Sequence, residues 1–212
     1  MRLSSIPLPT SAHPIVDEIL TYWFGDSTET MAVLMRRWFG GDPTVDRQIG
    51  ERFGGGIERA LAGGLKDWES DADSRLALIL ILDQFPRHVF RGRARAFSGD
   101  PRARRLCRQA LDQCLFAEWP WPCQVFALMP LEHSESLVDQ DQMVAALEHL
   151  HRQAAPEDVS HLGSFLRAAK EHRSIIRQFG RFPHRNAALG RVSSAAELAY
   201  LVDGPHFGQG SR

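Results

Sequence analysis

Three short polar segments stand out from a chain that otherwise reads as helix, and each gathers residue types that bind or move charge. The first is Asp83-Gln84-Phe85-Pro86-Arg87-His88, running on to Phe90-Arg91-Gly92. The second is Met129-Pro130-Leu131-Glu132-His133-Ser134-Glu135. The third is Glu171-His172-Arg173, followed by the stretch from Phe179 to Asn186. An aspartate at the end of an apolar helix is costly to bury alone, so Asp83 needs a partner, and Arg87 and Arg91 are near it in sequence. Glu132, His133, Glu135, His172, His184 and Asp83 are the types a divalent metal would take. Their spacing does not read as a metal site: Glu132 and His133 are adjacent, unlike HExxH, and a turn separates His172 from His184. A metal-free pocket suits the pattern better. In it Arg87, Arg91 and Arg185 hold an anionic group, and Asn186 orients the ligand through its amide. His133 or His184 then transfers a proton beside Glu132 or Glu135. The catalytic candidates are therefore His133, Glu132 and His184. Asp83, Arg87, Arg91, Glu135, His172, Arg185 and Asn186 are the ligand-binding candidates. The competing expectation is a set of ion pairs locking helix corners: Asp83–Arg87, Glu132–Arg185 and Glu135–His172. No cofactor is specified by these residues. Gly54-Gly55-Gly56 lacks the Lys-Ser/Thr of a phosphate cradle, and no GxSxG elbow is present.

The runs LDQFPRHVFRGRARAFSGD (82–100), MPLEHSESLVDQ (129–140) and EHRSIIRQFGRFPHRNAALGR (171–191) resemble the bacterial domain-of-unknown-function family numbered 924. Trp23-Phe24-Gly25 and Trp38-Phe39 fit that family too. The likeness covers roughly residues 15–202. It implies an all-helical, tetratricopeptide-like fold and brings no established activity. The signature positions it marks are Asp83 to Arg87, with Phe90, Arg91, Gly92, Ala94 and Phe97. Glu132 to Glu135, His172, Arg173 and Phe179 to Asn186 complete them. His88 stands where the family more often has asparagine, which leaves it out of the expected site. The Cys114 and Trp119–Cys123 region is particular to this chain.

The elements that must position these groups are helices. Pro14 with Ile15, Ile19, Leu20 and Trp23 opens a first helix. Asp42-Pro43 and Asp100-Pro101 each read as an aspartate cap with proline at the first helical position. Ser70 to Phe85 reads as a buried helix that Pro86 stops, and Gly54-Gly55-Gly56 as a helix break. Ser134 to Ala154 and Pro156 to Phe179 carry helical apolar stripes, and Ser194-Ala-Ala-Glu197 is a capping box. No stretch alternates long enough for a strand. The expectation is all-α: a tetratricopeptide-like array of about 8–9 helices in one domain over 14–202, flanked by flexible segments at 1–13 and 203–212. Ile19, Leu20, Trp23, Trp38, Leu78, Ile81, Leu82, Phe126, Leu147 and Ile176 should form its core.

Composition narrows the function classes. The chain has 212 residues, 43% hydrophobic and 24% charged, with net charge −1, which suits a globular protein with a real core. Near-neutral charge argues against a nucleic-acid binder, although Arg93 to Arg108 with Phe90 and Phe97 is the kind of stretch RNA would use. The apolar run Leu76–Leu82 is far short of the roughly 20 residues of a spanning helix. Met1–Pro14 holds three prolines and no apolar signal core, so a cytoplasmic protein is expected, without membrane association. Cys107, Cys114 and Cys123 show no CxxC; Cys107 and Cys114, a heptad apart, read as core thiols. The expected partner is a small anionic molecule, or an acidic peptide held on a concave helical scaffold. Nothing in the sequence sets the oligomeric state.

Overall fold

Aromatic packing around Trp23 organises the first half of the chain. The Trp23 ring lies 5.4 Å from Phe85 and 5.4 Å from Phe126, and Trp38 lies 4.7 Å from Phe126, in the tilted and edge-on geometries that aromatic quadrupoles favour. The Trp38 indole N–H donates to the Trp23 carbonyl at 2.8 Å, so its polar edge is satisfied inside the core. The structure, a computed structural model, describes residues 13–26 and 28–204. The chain divides into two compact units, one up to Ala127 and the other from Leu128 onward. Among the described residues there are helices and turns and no β-strand, so the all-α class expected from the sequence is the class observed. No helix among them is long and apolar enough to cross a membrane. Of the expected flexible segments, 1–13 and 203–212, all but His13, Asp203 and Gly204 lie outside the described residues.

In the first unit, α1 (Pro14–Phe24) carries its proline in the first turn, as expected, and buries Ile19, Leu20 and Trp23. Helix α2 (Met31–Phe39) buries Leu34 and Trp38. Helix α3 (Pro43–Leu61) starts at Asp42, whose carboxylate accepts the Thr44 N–H. It runs straight through Gly54-Gly55-Gly56, where the sequence suggests a break. Ile49, Phe53 and Ile57 recur along one face and are buried. Each such burial stabilises by about 1.5–3 kcal/mol, which outweighs the roughly 1 kcal/mol each glycine costs a helix.

The helix expected over Ser70–Phe85 starts two residues later and does not stop at Pro86. Helix α4 (Ala72–Ile79), capped by Asp71 on the Ser74 N–H, widens into a π-helical segment, Leu80–Gln84, and continues as α5 (Phe85–Val89). The Phe85 N–H bonds the Leu80 carbonyl five residues back. Proline has no N–H to give the Leu82 carbonyl and would clash with it in a regular α-helix, and one wide turn relieves this. The Leu82 carbonyl instead faces Gly99, where a Cβ would sit 2.2 Å from its oxygen. Helix α6 (Asp100–Asp112) follows. Here the cap expectation fails: Gly99 holds the cap position and Asp100 lies inside the helix. Arg102, next along α6, donates to the Ala60 and Gly64 carbonyls at 2.9 and 2.8 Å, satisfying the open end of α3. Because α6 ends at Asp112, the heptad expectation also fails for Cys114, which is exposed in a turn with φ +53°, while Cys107 and Cys123 are buried.

Helix α7 (Trp121–Glu132) contains Pro130, so Met129–Glu132, the start of the second polar segment, forms its last helical turn. Its apolar residues, among them Val125, Leu128 and Leu131, are buried and hold the helix despite the proline. In the second unit, α8 (Leu137–Arg152) and α9 (Val159–Phe179) form an antiparallel hairpin. Asp141 pairs with Arg173, and Glu148 with Lys170 at 2.8 Å, so residues further along one helix meet residues earlier on the other. Helix α10 (Ala195–Asp203) begins with the expected capping box, Ser194 and Glu197 each bonding the other's backbone N–H. All ten residues expected in the core are buried.

These glycines give opposite expectations. A Cβ at Gly54 or Gly55 would meet nothing within 4 Å. Gly54→Ala and Gly55→Ala should each raise stability by about 0.5–1 kcal/mol, read as a higher melting temperature. Gly99→Ala should lower it by about 1–3 kcal/mol, because backbone rather than a flexible side chain blocks the new methyl.

Candidate functional site

The first polar segment is closed by its own carboxylates. Asp83 is fully buried; its carboxylate accepts the Gln84 amide at 2.5 Å and lies 3.3 Å from the Arg87 guanidinium. Arg87 also grips Asp100 with both terminal nitrogens, at 2.9 and 3.0 Å. Burial alone would lower the Arg87 pKa, but Asp100 and Asp83 raise it above its ordinary value. The expected Asp83–Arg87 pair is present, and Asp100 is drawn from the cap position to complete it. Arg91 and His88 converge on a carboxylate that sequence reading did not single out, Asp46. Arg91 Nη2 lies 2.9 Å and His88 Nδ1 2.8 Å from Asp46 Oδ1. Burial pushes Asp46 up, yet the bonds from His88 and Arg91 hold it below the usual carboxylate range. Asp73 is perturbed the other way, pushed up to about 6 by burial and by Asp71 and Asp17. Burial and Asp73 push the Cys123 thiol up to about 12, which makes it a poor nucleophile.

In the second unit, residues from the other two segments meet around Phe182. Glu132 ends α7 and is buried. The wholly buried Gln140 amide holds this corner by donating to the carbonyls of Glu132 and Ser134, at 2.5 and 2.8 Å. Ser134 adds a bond to Asp139 at 2.5 Å. His172, buried on α9, places Nδ1 2.9 Å from the Ala168 carbonyl and 3.2 Å from Glu132 Oε1. Both neighbours are acceptors, so Nδ1 carries the proton and the lone pair of the neutral ring is on Nε2. The His172 ring lies 6.5 Å from that of His133 and 5.5 Å from that of Phe182. His184 lies 5.4 Å from Phe182 on centroids, and the Arg185 guanidinium carbon sits 4.5 Å over the same ring. Glu132, Arg185 and Phe182 are buried; His133 and His184 are half-buried.

Phe182 itself is fixed through its main chain. Glu135 accepts the Phe182 N–H at 2.8 Å and both terminal nitrogens of Arg191, at 2.8 and 2.9 Å. Arg191 in turn donates to the Phe182 carbonyl at 3.1 Å. The expected Glu135–His172 pair is thus replaced: Glu132 faces the imidazole, and Glu135 buckles the loop. Asn186, also buried, donates to the Ser193 hydroxyl at 3.0 Å. Among the described residues, no group of three or more His, Cys, Asp or Glu side chains is arranged to hold a metal ion.

All three polar segments lie within the stretch that a family model matches. The model for "Bacterial protein of unknown function (DUF924)" matches residues 19–205. The chain belongs to this family. A solved structure similar to it is the protein of unknown function ATU0120 from Agrobacterium tumefaciens. It is 30% identical, with a TM-score of 0.75 over 90% of this chain and 98% of that one. No curated protein matches.

Within this DUF924 chain, Arg191 and Phe182 are what sequence reading undervalued. Arg191 is one of five arginines spread over this stretch (Arg173, Arg177, Arg181, Arg185 and Arg191), and no local pattern ties it to a glutamate so far back in the sequence. Burial would raise the Glu135 pKa, but Arg191 and the Phe182 N–H outweigh it and hold the carboxyl low. A depressed pKa contributes stability above the unfolded value, near 4.3, and loses it as pH falls through the folded one. Glu135→Gln should therefore cost about 1–3 kcal/mol at pH 7. The gap in melting temperature between variant and wild type should close as the pH is lowered from about 5 to about 3.

Proposed function

We propose that the protein binds a small anionic ligand at the cluster around Phe182, with Arg185, His184 and His133 receiving the anion and Glu132–His172 behind them. One observation carries the reading. The imidazoles of His172 and His184 and the buried Arg185 guanidinium lie against one clamped aromatic ring, and His133 and the buried Glu132 carboxylate, from a segment far off in sequence, lie against His172. The half-buried imidazoles of His133 and His184 are the reachable members of the set. A carboxylate or phosphate suits them because an imidazolium and a guanidinium both donate charge-assisted hydrogen bonds. The Glu132–His172 contact adds a proton-transfer capability. Hydrogen bonding of Nδ1–H to a carboxylate makes Nε2 more basic, the arrangement general acid–base catalysis employs. Asp83, Arg87 and Arg91 leave this reading of the site, since Arg87 is matched by Asp83 and Asp100 and Arg91 by Asp46. A cytoplasmic setting suits the three free cysteines.

The rival reading, a tetratricopeptide-like scaffold for an acidic peptide, rests on the α8–α9 hairpin and would not need His184. Thermal-shift titration with inorganic phosphate, acetate and succinate separates the two. We expect at least one of these anions to raise the melting temperature by roughly 2–6 °C at saturation. His184→Gln should abolish that rise while leaving the melting temperature of the ligand-free protein nearly unchanged. No shift with any of the three between pH 6 and pH 8 would remove the ligand-site reading, as would a shift that survives His184→Gln.

A further inference from the structure

Helix α10 is built inside out. Its acid, Glu197, is turned inward and only 3% exposed, held by Arg181 through Nε and Nη2 at 2.6 and 2.8 Å. Tyr200, on the same inward side, packs against Phe179 at 5.1 Å between ring centroids. The outward side carries Ala195, Leu198, Ala199 and Val202, all exposed, at the i, i+3, i+4, i+7 spacing of one helix stripe. Leu198 is 58% and Val202 78% exposed. A surface helix ordinarily turns its charge to water and its apolar stripe to the core. Here the stripe facing water has no charge at all, and the last turn has no basic residue.

We infer that this face of α10 is a docking surface for α10 of a second copy of the chain, the two helices running antiparallel about a two-fold axis. The stripe is complementary to itself. With the axis midway between Leu198 and Ala199, each Leu198 faces Ala199 of the other copy, and each Ala195 faces Val202, so a large side chain meets a small one at every level. A two-fold contact requires just such self-complementarity. The absence of charge means that pairing like with like brings no repulsion. It also sets this face apart from a membrane-surface helix, which is flanked by lysine and arginine, and from a docking face for a charged peptide. Four residues present an apolar patch of a few hundred Å², below the roughly 800 Å² per partner of a stable complex, so the dimer is weak and reversible.

Sedimentation velocity of the full chain from about 10 μM to about 1 mM covers the range of such a contact. The wild type should shift from monomer toward dimer across it. Leu198→Glu and Ala199→Lys should each remain monomeric, with unchanged far-ultraviolet circular dichroism. An equimolar mixture of the two variants should regain dimer, because the register sets the introduced carboxylate of one copy against the introduced ammonium of the other. A wild type that stays monomeric throughout overturns the proposal, including one that instead pellets with anionic phospholipid vesicles. So does a dimer that Leu198→Glu leaves intact, or a mixture of variants that fails to regain association.

Discussion

A charge removed from water must meet an opposite charge, and that requirement decides where Arg87 and several half-buried arginines of this chain go. The cost of an unpaired buried ion is several kcal/mol, while a bidentate guanidinium–carboxylate contact offsets it with two aligned, charge-assisted bonds. Arg87 is satisfied by Asp83 and Asp100, Arg91 by Asp46, and Arg102 by Glu69 and the carbonyls that end α3. In the second unit Arg191 answers Glu135 and Arg181 answers Glu197. Nearly all of these pairs join stretches of chain well separated in sequence. Helix packing leaves corners between elements, and the forks pin those corners.

Glu132 departs from this rule in a way that matters for chemistry. The base facing it is the His172 imidazole and not a guanidinium. An arginine keeps its proton at every physiological pH, so an arginine–carboxylate pair is chemically static. An imidazole gains and loses its proton near neutrality. The Glu132–His172 contact therefore differs in kind from the guanidinium pairs around it. Phe182, against whose ring His172 packs, is held through its main-chain N–H and carbonyl by the side chains of Glu135 and Arg191.

The helices were legible in the sequence because their signals are local. The Pro14 start, the Asp42 cap and the Ser194–Glu197 box each involve residues within a few positions, and the core followed from apolar spacing. The differences arise where a distant group outweighs a local one. Asp100 reads as a cap and is turned to Arg87 instead. Pro86 reads as a stop, but one π-turn accommodates it, and the relief depends on a glycine that packs in from beyond the next turn. Gly54-Gly55-Gly56 reads as a break, yet Phe53 and Ile57 anchor the helix on both sides. For the candidate site, residue types were legible and pairings were not. His172, Glu132, His184 and Arg185 were all identifiable as a set. That Glu132 rather than Glu135 faces His172 depends on how α7 ends, and Gln140 fixes that end from α8.

The segment from Gly180 to Ser194 ties these features together. It leaves α9 through a left-handed glycine at φ +70°, places Phe182, His184 and Arg185 in the cluster, and is fastened at Arg191 to Glu135. Arg181 from its start and Ser194 from its end both bind Glu197. That double hold rotates the acid of α10 inward. Once Glu197 is drawn in, helical periodicity leaves Leu198 and Val202 no position but the outer face. The loop that positions His184 and Arg185 is therefore also what turns the apolar stripe of α10 to the surface, and its arginine–glutamate contacts accompany both.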